Sequence, residues 1–534
     1  MLIILKTVVI FLLTNFGNGF LFTQFFKNKS SSFVFTSLIG MCGLMLLQTT
    51  IAFFCPLNGY VESLFLLSGV VGSLIFIRTR NFSSVTVFTR LNIWFYIYFV
   101  IILFAGSFLP YWYDHYSYYV PTINYLREFG FVKGVASLDL LLGQSSFWHI
   151  YQSTFSHFTD PDLKVNTYLA VLFLFYIYER KQWVFLVFLA LFLPFLQQPS
   201  PDFPVLVITL IIINELIGKR DSQILMCLSL LAVCIKPTSF WLVLLLIGLR
   251  IYKKNWSVKM LLPVFIFGSV YMLKNFWLFG FPVFPVALID FNLPWQPSRE
   301  ILTYSSQIGL LKSYDMQYSW QQVMAFDFWE RICHWFDVGY KAVFNWGILG
   351  CLFILGFFAI LKKSLLYRIL FFVFVLKFFI IITISAQYRF FADLYLVTLF
   401  VLLKAIPRKG SNMLALGLSA IVLVFFSFPG LLKGQFSVER WLKGFDGSQI
   451  YKPQQLDSVA INSEYTIGNL SFYVPKDPMQ KSIFPSLSIY DLQIYQYYGV
   501  FPQRGGNGFV QRKLSVQEKK QLDGIIRIHE ISRP

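Results

Sequence analysis

Long apolar runs recur along the whole chain, and they decide what it can fold into. A helix needs about 20 mostly apolar residues to cross the hydrocarbon core of a bilayer. Runs near that length alternate here with short charged loops. Of the 534 residues, 57% are hydrophobic and only 13% are charged, which is far from the composition of a soluble protein. We therefore predict an all-α polytopic membrane protein.

The hydropathy pattern predicts about fourteen transmembrane helices. They lie at about 2–22, 33–54, 60–77, 91–109, 165–178, 183–196, 203–217, 224–236, 238–251, 260–278, 341–361, 369–386, 391–406 and 412–430. The short loops that carry Lys and Arg, among them Lys27, Lys29 and Arg80, all fall on one side of this arrangement. The positive-inside rule makes that side cytoplasmic. The net charge of +18 is then a topology signal that favours contact with membrane lipids, and we expect no nucleic-acid partner.

The long loops, at 110–164 and 279–340, fall on the opposite, outer side. The hydrophilic tail, 431–534, follows the last span and lies on the outer side as well. Strand-like pieces at 459–462 and 470–474 precede a polar helix pattern in this tail, which indicates a small α+β domain. The six cysteines show neither metal-ligand spacing nor a disulfide framework.

The first outer loop carries two amphipathic patterns. Tyr119, Ile123 and Leu126 are spaced i, i+4, i+7, and a second set of apolar residues follows at 147, 150, 151, 155 and 158. Each pattern is typical of a helix lying on the membrane surface with its apolar face down. Asp114 lies just before the first helix, so we predict a site where a water-soluble group meets a lipid. The alternative is a surface loop with no chemistry.

Charged and polar residues collect on the outer side. Burying a charged side chain beside a membrane costs free energy, so we expect these residues to face a cavity or a partner. They include Asp114, His115, Asp202, Lys236, Lys274 and Arg389. Simpler interpretations exist for several of them. Lys274 could snorkel to the interface, and Asp202 could cap the next helix. The Asp160-Pro-Asp162 pattern favours a helix cap over a metal site, and His149 and His157 favour interfacial aromatics over metal ligands.

Arg389 lies between aromatic residues near the membrane core, so it needs an anion. Asp393, one turn further on, is one candidate. A lipid phosphate is the other, because the planar guanidinium matches phosphate oxygens.

Three stretches carry a resemblance to the GT-C superfamily of polytopic glycosyltransferases, which use polyprenyl-phosphate sugars. They are Asp-His-Tyr-Ser-Tyr-Tyr at 114–119, Lys-Asn-Phe-Trp-Leu-Phe-Gly-Phe-Pro-Val-Phe-Pro at 274–285 and Gln-Tyr-Arg-Phe at 387–390. The chain resembles the protein O-mannosyltransferases and the aminoarabinose transferases of lipid A. Shorter pieces at 130–134, 144–148, 200–204, 235–239, 294–297 and 506–509 are similar to a branch of bacterial membrane proteins.

The resemblance implies three regions. Residues 1–90 are N-terminal helices outside the shared core, 91–430 form a GT-C-like transmembrane domain, and 431–534 form a periplasmic domain. It also implies a protein of the bacterial inner membrane that moves a sugar from polyprenyl phosphate to an envelope glycan, lipid or protein. His115 stands where the superfamily often has a second acid, so a divalent metal is not indicated.

The resemblance also implies roles for individual residues. Asp114 is the general base, and Arg389, Lys236 and Lys274 bind the phosphate. His115, Tyr119, Asp202 and Trp148 contact the substrate, although Trp148 could equally belong to the aromatic belt at the membrane interface. Transfer of this kind inverts the anomeric carbon. The assignment predicts that Asp114 and Arg389 line one cavity.

Two other functions stay open on the sequence. One is a non-catalytic scaffold of a membrane-protein complex, in which the outer tail binds partners. The other is a lipid-linked glycan transporter or polymerase, although no internal repeat indicates a transporter.

Overall fold

A computed structural model describes residues 1–25, 32–79, 82–220, 222–254, 261–432, 442–455, 462–476 and 483–531. Lys27, Lys29 and Arg80 of the predicted cytoplasmic loops lie outside the described residues, as do 459–461 of a predicted strand.

Helices dominate the described residues. They are α1 (Leu2–Phe25), α2 (Phe33–Ile51), α3 (Gly59–Thr79), α4 (Ile93–Gly106), α5 (Val120–Phe129), α6 (Phe147–Thr154), α7 (Val165–Arg180), α8 (Phe185–Phe192), α9 (Asp202–Ile217), α10 (Gln223–Ile235), α11 (Trp241–Tyr252), α12 (Leu261–Leu278), α13 (Arg299–Leu311), α14 (Trp320–Ala325), α15 (Phe328–Phe336), α16 (Ala342–Leu361), α17 (Leu365–Ile384), α18 (Ala392–Leu403), α19 (Arg408–Ser427), α20 (Ile489–Tyr498) and α21 (Val516–Ile531). Four strands, β1 (Asn462–Ile467), β2 (Leu470–Pro475), β3 (Val500–Gly505) and β4 (Gly508–Lys513), form two antiparallel hairpins.

A helix lies at each of the fourteen predicted spans. Within the described residues, seven helices are long and apolar enough to cross a membrane: α1, α2, α3, α12, α16, α17 and α19. The other helices at predicted spans are shorter, so length and composition alone do not establish that they cross. The fold is therefore that of a helical membrane protein, and the count of fourteen spans stays a prediction.

The chain divides into two compact units. The first comprises residues 1–204, 268–298 and 406–534, and the second comprises 205–267 and 299–405. The domain boundaries predicted at residues 90 and 430 stay predictions.

Within the first unit, helix ends that the predicted topology assigns to the same side lie close together. At one end, the Tyr178 hydroxyl near the end of α7 donates to Asn92 Oδ1 at the start of α4, 3.0 Å away. Arg408 at the start of α19 lies over the Trp183 ring, 4.0 Å from its centroid. The sequence places all four residues on the basic side, so their proximity agrees with the predicted order of crossings. Which side of the membrane this is stays a prediction.

The opposite ends of the same helices also meet. Lys164, just before α7, donates from Nζ to the carbonyl oxygens of Phe108 (3.1 Å) and Gln197 (2.8 Å). Asn166 in the first turn of α7 donates to the carbonyl of Ser200, 3.3 Å away, just before α9. The C-terminal end of α4, the N-terminal end of α7 and the connection from α8 to α9 therefore share one polar junction.

The two amphipathic helices of the first outer loop form, but one of them does not lie on the surface. The face of α5 that carries Ile123 and Leu126 is buried together with Tyr119, as the spacing predicted. Every residue of α6 is buried, its polar residues included. The prediction of a second surface helix is therefore wrong, because α6 packs against protein on all sides.

The C-terminal region contacts the first outer loop. The backbone N–H of Phe509 in β4 donates to the Lys133 carbonyl at 2.9 Å, and the Tyr495 hydroxyl in α20 donates to the Leu138 carbonyl at 2.7 Å. The predicted strand at 470–474 and the C-terminal polar helix are confirmed as β2 and α21. Helices and antiparallel hairpins together make this region α+β.

Glu62 in the first turn of α3 is fully buried and caps the loop between α6 and α7. Its carboxylate accepts from the backbone N–H groups of His157, Phe158 and Thr159 at 2.9, 3.0 and 2.6 Å. Sequence reasoning passed over this acid because it lies inside an apolar span.

Replacing Glu62 with Gln should lower the free energy of unfolding by about 1–3 kcal/mol, because the amide NH₂ would face backbone donors that now have an acceptor. Thermal unfolding in detergent measures the loss, and hydrogen exchange should speed up at residues 157–159. Glu128→Gln, which changes an exposed acid on α5, is the matched control. Equal behaviour of the two variants would contradict the capping role.

Candidate functional site

Asp114 lies at the entry to an unusual helical turn. The chain leaves α4 at Gly106, and residues His115–Tyr119 form one π-helical turn in which the Val120 N–H bonds to the His115 carbonyl. Such turns are rare and often mark functional sites. Asp114 itself is half-buried. Partial burial leaves part of the residue accessible from outside the protein.

Two of the predicted acids, Asp114 and Asp202, lie near Tyr119 at the end of this turn. Its ring is 1% exposed. Burial raises the pKa of the Tyr119 hydroxyl well above its usual range, and the nearby charges of Asp114 and Asp202 raise it further, while a hydrogen bond from Ser200 opposes the shift. Asp202 is half-buried at the first position of α9. The structure therefore brings Asp202 close to Asp114 and Tyr119, although Asp202 is distant from both in the sequence.

His149 of α6 lies against the same tyrosine. Its ring centroid is 4.8 Å from that of Tyr119, and 1% of the residue is exposed. The ring hydrogen-bonds to the backbone of Pro199. Because proline has no N–H, the imidazole is the donor. Burial lowers the pKa of His149 to about 3, so the ring is neutral and its other nitrogen, Nε2, is an acceptor.

His115 adds a second neutral imidazole beside the first. Burial lowers the pKa of His115 to about 3, and the nearby Lys164 and His149 contribute to the shift. Within the described part of the chain, His115 Nδ1, His149 Nε2 and both amide atoms of Gln198 have no protein hydrogen-bond partner. An unpartnered buried polar atom costs about 1–3 kcal/mol. These atoms are therefore suited to the hydroxyl groups of an uncharged ligand.

Lys164 and Asp160 are two buried ionisable residues of this polar junction. Burial lowers the pKa of Lys164 to about 8, against the opposing charges of Asp162 and Asp160. Burial raises the pKa of Asp160 to about 7, and Gln152 donates to its carboxylate at 3.3 Å. Lys164 occupies the N-cap position of α7, and its own side chain makes no cap bond. The Asp160 carboxylate accepts from the backbone N–H of Lys164, and Gln152 Oε1 accepts from the Val165 N–H at 3.3 Å.

Lys274 and Trp148 are buried and donate hydrogen bonds to residues around the site. Lys274 in α12 is 1% exposed and donates from Nζ to the carbonyls of Gln144 (2.7 Å) and Ser145 (3.1 Å). The snorkelling interpretation is therefore wrong, and its charge acts on His149. Trp148 is fully buried and donates from Nε1 to Asn166 Oδ1 at 2.7 Å. A fully buried ring does not belong to an aromatic belt at the membrane interface, whereas the predicted substrate contact of Trp148 stays a prediction.

The two histidines of the second amphipathic pattern, His149 and His157, lie in different surroundings. His157 lies against Glu62, with Nδ1 3.4 Å from a carboxylate oxygen. His149 is buried among polar groups, so its interpretation as an interfacial aromatic is wrong. Among the described residues, no group of three or more His, Cys, Asp or Glu is placed to hold a metal ion.

The second unit carries a cationic pocket around Arg389. Arg389 belongs to a short 3₁₀ turn, Tyr388–Phe391, that leads into α18. The pocket has a volume of about 220 Å³, and its charged lining residues are Arg389, Lys312, Lys341 and Asp315. Lys341 pairs with Asp315. Three cations against one acid leave a net positive charge that favours an anion such as phosphate.

Asp393, the acid considered for Arg389, is bound by another cation. Lys377 Nζ lies 2.6 Å from both oxygens of Asp393, and Trp241 Nε1 donates to the same carboxylate at 2.6 Å. Lys236 lies over the Phe390 ring, 5.3 Å from its centroid, and Arg389 lies 5.3 Å from the same centroid. Lys236 and Arg389, both predicted to bind phosphate, therefore lie near the same aromatic ring. Lys377 was not identified from the sequence.

Asp114 belongs to the first unit and Arg389 to the second. The prediction that they line one cavity stays a prediction.

The chain belongs to a family whose model is described as "Domain of unknown function (DUF8201)". The match covers residues 1–396 and so includes the three N-terminal helices, both candidate acids of the first unit and Arg389. No curated protein and no solved structure matches the chain.

Proposed function

We propose that this member of the DUF8201 family is a membrane glycosyltransferase that uses a polyprenyl-phosphate sugar. In this proposal it lies in the bacterial inner membrane with fourteen spans and a GT-C-like fold. It transfers the sugar on the periplasmic side to an envelope glycan, lipid or protein. The observation that carries the proposal is the grouping of half-buried Asp114 and Asp202 with buried Tyr119 and two neutral imidazoles.

Asp114 is the general base in this proposal. Its carboxylate takes the proton of an acceptor hydroxyl as that oxygen attacks the anomeric carbon of the sugar. The bond between the anomeric carbon and the phosphate oxygen breaks, and both electrons leave with the polyprenyl phosphate. Attack from the face opposite the leaving group inverts the configuration. No proton has to be given to the leaving phosphate.

The polar atoms around Tyr119 suit the uncharged parts of such substrates. His149 Nε2 accepts a hydroxyl hydrogen, and the Gln198 amide can both donate and accept. Because neither imidazole carries a charge at neutral pH, both suit the uncharged hydroxyl groups of a sugar. Asp202 supplies a second acid that can accept a sugar hydroxyl.

Arg389 binds the phosphate of the donor in this proposal. Lys312 and Lys341 share its pocket, so the leaving group gains from fixed positive charge as it departs. An exposed guanidinium at the mouth of a cationic pocket gives planar, bidentate contact with phosphate oxygens. Lys236, which also lies 5.3 Å from the Phe390 ring centroid, adds a further positive charge.

Arg389→Ala should weaken use of the donor by about 10- to 100-fold in kcat/KM, which is what the loss of one or two charge-assisted hydrogen bonds gives. The full chain in lipid nanodiscs is incubated with a panel of polyprenyl-phosphate sugars, and release of polyprenyl phosphate is measured. Arg368→Ala, which removes an exposed arginine of the same unit outside the pocket, is the matched control.

Two outcomes would overturn the proposal. If Arg389→Ala and Arg368→Ala release polyprenyl phosphate equally well, Arg389 does not bind the donor. If the wild-type chain releases none from any donor in the panel while its fold is intact, the protein is a non-catalytic scaffold.

A further inference from the structure

A second cationic pocket lies in the first unit at the basic ends of the helices. Its volume is about 490 Å³, and it is lined by Trp94 near the start of α4 and by residues of the first turns of α19: Arg408, Lys409, Asn412, Met413 and Leu416. None of these lining residues is acidic. The Tyr98 hydroxyl donates to the Asn412 carbonyl at 3.2 Å, which holds the two helices together at this place.

The cations of this pocket are not neutralised by the protein. Arg408 is fixed by Trp183, 4.0 Å from the ring centroid, and by a hydrogen bond with Tyr178. Lys409 is exposed. Within the described residues, neither Arg408 nor Lys409 forms an ion pair with an acid. The first turn of α19, a helix of 20 residues, adds the positive end of its dipole.

The wall below these cations is apolar and open. Met413 is 66% exposed and lies one turn into α19, a helix apolar enough to cross the membrane, and Ile93 of α4 is 67% exposed. Such side chains on membrane helices contact lipid tails. Two cations and an indole above an apolar wall match one molecule that has a phosphate at one end and a hydrocarbon chain at the other.

We propose that this pocket binds an anionic phospholipid, with the phosphate on Arg408 and Lys409 and the acyl chain along Met413 and Leu416. The site is separate from the proposed glycosyl-transfer centre, and its function does not depend on that proposal. A free phosphate would use the same cations but not the apolar wall.

The test is native mass spectrometry of the full chain in detergent, with phosphatidylglycerol and phosphatidylcholine of identical acyl chains as probes. The wild type should retain phosphatidylglycerol in preference to phosphatidylcholine. Lys409→Gln should weaken phosphatidylglycerol binding about fivefold, the effect of one basic residue at a lipid surface. Met413→Gln, which leaves the charges in place, should weaken it as well.

Lys362→Gln, at an exposed basic helix end in the second unit, is the matched control and should retain the lipid. The proposal is overturned if Lys409→Gln binds phosphatidylglycerol as tightly as Lys362→Gln does. It is also overturned if millimolar inorganic phosphate displaces the lipid, or if Met413→Gln has no effect, since either result assigns the pocket to a free anion.

Discussion

Asp114→Asn should reduce sugar transfer by about 10²- to 10⁴-fold, the usual contribution of a positioned general base. The amide has the shape of the carboxylate, but it cannot take the proton of the acceptor hydroxyl. Because Asp114 is half-buried at the start of the π-helical turn, the substitution should leave the fold, expression and binding of the lipid-linked sugar largely intact. The loss should therefore appear in kcat and not in donor binding.

Release of polyprenyl phosphate from the donor measures this effect, with donor binding followed separately by fluorescence of a labelled lipid. Glu128→Gln, which changes an exposed acid in the same loop, is the matched control and should keep full activity. Asp202→Asn should lower activity less than Asp114→Asn does, since Asp202 contacts substrate in the proposal without moving a proton. Full activity of Asp114→Asn would remove the base assignment and leave the geometry without a catalytic acid–base group.

Much of the helical framework follows from hydropathy alone, because lipid requires every backbone group to bond within its own helix. A helix accordingly lies at each predicted span, including the short apolar segment at 224–236, where α10 forms. Asp114 and Asp202 could be selected because both follow the outer end of an apolar run. Their convergence on Tyr119 could not be predicted, since it depends on how α4, α6 and α9 pack.

The amphipathic pattern of α6 shows where periodicity stops being informative. A helix with one polar face lies equally well on a membrane surface or inside a protein that supplies polar partners. Here the Tyr151 hydroxyl bonds to Asn15, and His149 bonds to Pro199. Both partners are distant in the sequence, so no local window contains them.

Charges inside apolar runs were the least predictable part of the molecule. Glu62 and Lys377 each lie within a predicted span, where the average hydropathy hides one charged residue. Lys274 near a helix end allows an interpretation at the water interface, yet its ammonium donates to two backbone carbonyls, those of Gln144 and Ser145. Whether such a charge faces water or a buried partner depends on where the partner lies, and only the tertiary structure determines that.

Breaking the ion pair of Lys377 and Asp393 should lower the free energy of unfolding more than breaking any other single contact in the second unit. Lys377 is fully buried in the middle of α17, and both Asp393 oxygens lie 2.6 Å from its ammonium. Lys377→Met would leave Asp393 with a buried negative charge that only the Trp241 N–H and the Leu394 N–H still bond. Removing one partner of a buried pair costs about 3–5 kcal/mol.

Thermal unfolding of the full chain in detergent should show this loss for Lys377→Met and for Asp393→Leu singly. The double variant, Lys377→Met with Asp393→Leu, should recover most of it, because replacing both charges by apolar groups leaves no unpaired ion. Lys404→Met, which changes an exposed lysine at the end of α18, is the control for loss of positive charge alone. If the two single losses simply add in the double variant, the side chains do not interact. In that case Asp393 would again become a candidate anion for Arg389, as an alternative to the donor phosphate.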